Sequence, residues 1–148
     1  MVNDNITNGQ LGEHICASAL LKLGEKCEIV RLGTVDIVVD RGHQGVIRLQ
    51  VKSSRYKTKD GTGRQKGYQF FTAFGGKKTP LTAEHCDAVA FVASDLERVL
   101  FKPISEVELK VTKRIAKAKF LVENLERDSW ANTIAVSYTH LTLPTNSS

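Results

Sequence analysis

Three cysteines in 148 residues, Cys16, Cys27 and Cys86, are too few and too widely spaced for a disulfide framework, and no Cys-x-x-Cys pair suggests zinc. All three are expected to be reduced thiols, buried or half-buried. No apolar run is long enough to cross a bilayer, and the opening MVNDNITNGQ lacks the basic start and apolar block of a signal peptide. A soluble, cytoplasmic protein with no membrane partner is expected. Internal repeats and low-complexity tracts are absent. His14, His43 and His85 have no ligand-like spacing with Cys, Asp or Glu, so they read as surface groups or as supports behind a site.

Acid is scarce in one stretch. Between Lys52 and Lys78 only Asp60 opposes Lys52, Arg55, Lys57, Lys59, Arg64, Lys66, Lys77 and Lys78, and Tyr56, Tyr68, Phe70, Phe71 and Phe74 are interleaved with them. The whole chain carries a formal charge of +5 with a pI near 9.2, which suits a polyanionic partner. A solvated basic loop is the plain alternative; the position directly after Lys52 favours a loop that faces a phosphate backbone.

With 41% hydrophobic residues the chain is the size of one domain and can bury a core. A single domain over residues 1–135 is expected, with its core at about 8–103. Thr7 and Gln10 form a capping-box pattern and Gly24 a stop, predicting a helix from about Asn8 to Leu23. On that helix Glu13 lies within about 60° of Cys16 and Leu20, so it shares the inward face and needs a partner. Lys26–Leu32 reads as a strand, as do Gly67–Phe74 and Arg98–Lys102, the last ended by Pro103. Asp87–Ala93 is apolar enough for a central strand. From about Ser105 to 130 a helix is expected, since Val111, Ile115, Ala118, Val122 and Leu125 recur at helical spacing beside Lys110, Lys113, Arg114 and Lys117. The closing VSYTHLTLPTNSS resembles translated adapter sequence, and residues 136–148 are expected to be a non-native or disordered tail.

The chemistry concentrates in TVDIVVDRGHQGVIRLQVKSS, Thr34 to Ser54. Val35, Ile37 and Val39 alternate with Asp36 and Val38, while Ile47, Leu49 and Val51 alternate with Arg48, Gln50, Lys52 and Ser54. The Gly-rich Arg41–Gly45 segment between the runs predicts a hairpin, in which Asp36 meets Gln50 and Lys52.

A helix Glu13, a strand Asp36 and a following Gln50-Val51-Lys52 together resemble the PD-(D/E)XK, restriction-endonuclease-like nuclease superfamily over roughly Gly9 to Pro103. The glutamine in LQVKSS, the Gly9–Glu13 helix start and Tyr68-Gln69-Phe70 are most similar to the group I intron homing endonuclease branch. That branch places glutamine where most of the superfamily has Asp or Glu. The resemblance implies an α/β fold with a mixed central β-sheet flanked by helices, and a Mg²⁺-dependent DNA endonuclease, with Mn²⁺ as a substitute. It implies Glu13, Asp36, Gln50 and Lys52 as catalytic residues. The metal ligands would be Asp36, the Gln50 amide oxygen, the Val51 carbonyl and Glu13, the last directly or through water. Double-stranded DNA would be contacted by Arg48, Ser53, Ser54, Arg55, Lys57, Lys59, Arg64, Lys66 and Tyr68. Cutting both strands would require a homodimer or homotetramer. Two other readings remain open: a structure-selective nuclease such as a Holliday junction resolvase, and a catalytically silent DNA-binding module, because Gln50 brings no charge.

Overall fold

The computed structural model describes residues 4–55, 67–74, 79–108 and 110–142. Helix α1 spans Asp4–Lys22. It starts a turn earlier than Thr7 suggests. Its end matches the expected stop. Gly24 takes φ +87°, its N–H bonds to Leu21 O at 3.0 Å, and the Glu25 N–H bonds to Leu20 O at 3.0 Å, which is a Schellman closure.

Strands β1 (Lys26–Leu32), β2 (Val35–Asp40), β3 (Val46–Ser54), β7 (Ala88–Ala93) and β8 (Arg98–Pro103) form a five-stranded sheet in the order β1-β2-β3-β7-β8. The β3–β7 pair is parallel and the other pairs are antiparallel, so the sheet is mixed, as expected. The crossover between the parallel strands contains β4 (Tyr68–Phe71), β5 (Ala73–Phe74) and β6 (Thr79–Pro80). The predicted strand Gly67–Phe74 is thus two short pieces separated by Thr72. Every residue of β7 is buried, which explains its unbroken apolar sequence.

Alternation along the strands builds two cores. Ile47, Leu49 and Val51 of β3 turn with Ala88, Ala90 and Val92 of β7 toward Cys16 and Leu20 of α1. Val89 and Phe91 turn the other way, onto Tyr68, Phe70, Ile115 and Phe120. Cys16 and Cys86 are buried and Cys27 is half-buried, all as free thiols. Among the described residues no helix is long and apolar enough to cross a membrane.

The region after Pro103 differs from the expected helix over 105–130. Thr112–Ile115 is a strand, β9, antiparallel to β4 with Phe70 opposite Lys113, and Lys117–Phe120 is a 3₁₀ turn. The apolar spacing was coincidental: Val111 and Val122 are 38% and 49% exposed, whereas Ile115 is buried under the ribbon. The backbone groups of β4 need a ladder partner, and β9 provides it. Helix α2 begins only at Leu125 and runs to Thr142, so Val136–Thr142 continues an element rather than forming a tail. Ser137 is buried there. Residues 143–148 lie outside the described part.

Helix α2 covers the outer edge of β8. The Val99 N–H donates to Glu126 Oε2 at 3.0 Å and the Phe101 N–H to Ser129 Oγ at 3.1 Å. These bonds satisfy an edge that would otherwise be open to another strand. Arg98 Nε donates to Glu126 Oε2 at 2.9 Å. Burial pushes the Glu126 carboxyl up, but the Arg98 guanidinium and the Val99 N–H outweigh it and hold it below the usual range. A depressed carboxyl contributes stability above its unfolded value and loses it as pH falls through the folded value. Glu126→Gln should therefore cost roughly 1 kcal/mol at neutral pH. In urea melts at decreasing pH, the gap to the parent protein should close below the ordinary glutamate range.

Candidate active site

The β2–β3 register pairs Ile37 with Leu49, so Asp36 stands opposite Gln50 and the two share a face. Asp36 Oδ2 accepts the Val51 N–H at 2.8 Å, which joins the carboxylate to the next strand. Lys52 follows two residues after Gln50 on the same face. Its Nζ donates to Ala73 O of β5 at 3.2 Å.

Glu13 arrives from the other layer. Gly12 is buried in α1, and a Cβ built there would overlap Ser53 Oγ and come within 2.9 Å of Ser53 Cβ. The helix therefore lies directly on β3, and this close approach carries Glu13 to the sheet. Arg31 Nε donates to Glu13 Oε1 at 2.8 Å. Arg31 has φ +51° and sits at the irregularity between Ile29 and Leu32 in the β1–β2 pairing. Few non-glycine residues take that conformation, and those that do cluster at functional sites.

Electrostatics couple Asp36 to Glu13, Lys52 and Arg31. Burial raises the Asp36 carboxyl first; the Val51 N–H lowers it, Glu13 raises it, and Lys52 and Arg31 lower it, with a net upward shift. Burial lowers Lys52, opposed by Asp36 and Cys86. Burial pushes the Cys86 thiol up to about 12, so it stays neutral and Asp36 is the anion that Lys52 meets. Gln50 contributes the odd atom. Its Oε1 is enclosed and accepts no hydrogen bond. Such an acceptor costs on the order of 1–3 kcal/mol unless a donor or cation reaches it.

Among the described residues no group of three or more His, Cys, Asp or Glu could hold a metal. The set at hand is instead two carboxylates, Glu13 and Asp36, with the neutral Gln50 oxygen. All are hard oxygen donors, and Mg²⁺ commonly takes only one or two carboxylates. Their chemistry fits that ion.

The expected DNA contacts fare less well. Arg48 is partly exposed but engaged within the protein: Nε and one terminal nitrogen donate to Asp87 at 3.1 and 3.0 Å, and the fork also reaches the Ala83 and Glu84 carbonyls at 2.9 and 3.2 Å. It clamps β3 to the segment before β7. Tyr68 is fully buried, edge-on to Phe120, with its hydroxyl donating to Asp95 at 2.9 Å. The aromatics interleaved with the basic residues include this core seam. Ser54 is also buried, with its hydroxyl donating to Arg55 O at 3.2 Å. Ser53 packs beneath Gly12, and Arg55 is exposed. Lys57, Lys59, Arg64 and Lys66 lie outside the described residues.

No protein-family model and no curated protein matches the chain. Among solved structures, that of a bacterial homing endonuclease, I-Ssp6803I, is similar with a TM-score of 0.59 and 18% identity, covering 79% of this chain and 78% of that one. This chain shares its fold. At such identity the likeness concerns backbone architecture, and the site rests on its own geometry.

Sequence reasoning missed Gly12 and Arg31. A glycine inside a helix costs about 1 kcal/mol relative to alanine, so Gly12 next to Glu13 was a legible sign of close packing. Arg31 gave no local signal.

Two outcomes follow from this geometry. A raised Asp36 carboxyl means that ionising it opposes folding, so stability falls as pH rises from the unfolded aspartate value through the folded one. Asp36→Asn should melt higher than the parent at neutral pH, with the difference fading in acid as the parent Asp36 protonates. Gly12→Ala should destabilise by roughly 1–3 kcal/mol through overpacking. In denaturant titrations Ser53→Gly, which removes the struck atoms, should recover most of that loss.

Proposed function

We propose that the chain is a Mg²⁺-dependent DNA endonuclease of the PD-(D/E)XK superfamily, homing-endonuclease-like, with Gln50-Val51-Lys52 as its variant strand motif. The observation that carries this reading is the enclosed, unpartnered Gln50 Oε1 beside the Asp36 carboxylate, two residues from a half-buried lysine. Similarity of fold to the homing endonuclease structure supports it.

Asp36, Gln50 Oε1, the Val51 carbonyl and Glu13 would hold the metal, with Glu13 released from Arg31. When bound, Mg²⁺ would stabilise charge on the phosphate and make a water molecule more acidic. The protein's own groups orient the reaction. Asp36 is pinned by the Val51 N–H, so its free oxygen has a defined position. Lys52, made easier to deprotonate by burial, can orient the attacking water or accept its proton. In its charged form it can instead donate a hydrogen bond to the phosphate as the new P–O bond forms and the sugar oxygen leaves. Arg31 is placed to hold Glu13, or to take up a phosphate oxygen once Glu13 turns to the metal. Two copies of the chain, as a homodimer or homotetramer, would cut both strands of a duplex.

A second reading has its own support. Glu13 is already tied to Arg31 and Gln50 is neutral, which leaves Asp36, itself accepting the Val51 N–H, as the one carboxylate of the proposed set outside an ion pair and favours a silent DNA-binding module of the same fold.

Incubation with supercoiled plasmid and with a four-way junction, in Mg²⁺, Mn²⁺ or EDTA, separates these readings. Cleavage with either metal and none in EDTA is expected, and preference for the junction would point to a resolvase. Lys52→Ala should lower the rate at least about 10²-fold. If Lys52 acts as the base, the rate should rise with pH below the ordinary lysine value. Full activity in Lys52→Ala would falsify the site, and salt-sensitive binding without cleavage of any substrate would favour the silent module.

A further inference from the structure

The cations first expected on a helix, Lys110, Lys113, Arg114 and Lys117, lie instead on or beside β9, where the ribbon passes the outermost strand of the sheet. Between β8 and this ribbon runs an open groove of about 380 Å³, with Leu100, Lys102, Lys113, Arg114, Ile115 and Lys119 among its walls. Lys102 is 3.4 Å from Glu106. Among the described residues no carboxylate forms an ion pair with Lys110, Lys113, Arg114 or Lys119. Burial, and then repulsion from Lys102 and Lys110, hold Lys113 below the usual lysine range despite Glu106. Like charges gathered this way oppose compaction, and among the described residues Glu106 offsets only part of that cost.

Strand register connects the groove with the candidate active site. Gln50 lies beside Val89, and Val89 is paired with Lys102, so Lys102 shares the face of Gln50 two strands away. At about 4.8 Å per strand the backbones are about 10 Å apart.

We propose that the β8–β9 groove holds the phosphate backbone of duplex DNA flanking the position to be cut, through Lys102, Lys113, Arg114 and Lys119. The inference rests on the nuclease reading above and adds a contact surface apart from the basic segment that follows Lys52. A duplex fits better than a single strand, because among the described residues the groove walls include no aromatic ring on which an unpaired base could stack.

Binding of a short DNA duplex, measured by fluorescence anisotropy in EDTA over a series of salt concentrations, tests this without cleavage. The variant Lys113→Ala/Arg114→Ala/Lys119→Ala is compared with Lys22→Ala/Lys26→Ala/Arg127→Ala, which removes the same charge from distant surfaces. The groove variant should bind at least about tenfold more weakly than the control variant and shorten the log–log salt slope by roughly 2–3. Equal behaviour of the two variants overturns the proposal. Should the triple variant fail to fold, the exposed single changes Arg114→Gln and Lys119→Gln should each reduce the slope by about one, and unchanged slopes would overturn it equally. Lys113→Arg, which keeps the charge, should retain the parental slope. Because binding is read in EDTA, a protein that never cuts yet loses DNA through the groove variant refutes the nuclease reading alone. A protein that cuts but keeps its slope refutes the groove alone.

Discussion

The candidate active site depends on the pairing register between β2 and β3. Ile37 opposite Leu49 puts both into the helix-covered core and leaves Asp36 opposite Gln50 on the other face. A slip of one residue would turn Asp36 into a layer lined by Cys16 and Leu20, where an unpaired carboxylate is far too costly. The apolar residues that stabilise the sheet therefore also aim the polar ones. The Val51 N–H bond to Asp36 reinforces the register from inside the site itself.

Around this hairpin the fold accumulates local costs. A carboxylate is raised and a lysine lowered by burial, an arginine takes a left-handed backbone conformation, and an amide oxygen has no partner. Each opposes stability in the isolated chain. Under the proposed nuclease reading, a cation would satisfy the oxygens and Lys52 would serve as proton acceptor or donor near a phosphate. Concentration of such features in one place is characteristic of sites shaped for chemistry rather than for packing. The β8–β9 groove has the simpler imbalance of excess positive charge, which suits a polyanion.

Several elements were legible because their signals are local. The Gly24 stop, the alternating β2 and β3 runs, and the apolar β7 follow from short-range geometry, and the wheel position of Glu13 follows from helical period. Other assignments failed because composition does not state a side chain's destination. Arg48 looked like a surface cation, but Asp87 lies 39 residues away and claims it. Tyr68 was expected to contact DNA, yet its alternation with Phe70 makes both part of the second core. Ile115 and Leu125 suggested one continuous helix, although each belongs to a different element packed on that core.

By itself, the sequence determined which residues could share a strand face or a helix stripe, and hence that Gln50 and Lys52 would stand on one side and that Asp36 could join them if the hairpin closed, because side-chain alternation is a property of the extended backbone. Tertiary structure alone decided that α1 could come close enough at Gly12 to deliver Glu13, that Arg31 would meet it, and that β4 would recruit β9. Those outcomes depend on contacts between segments distant along the chain, whose geometry is set only when both faces of the sheet are covered.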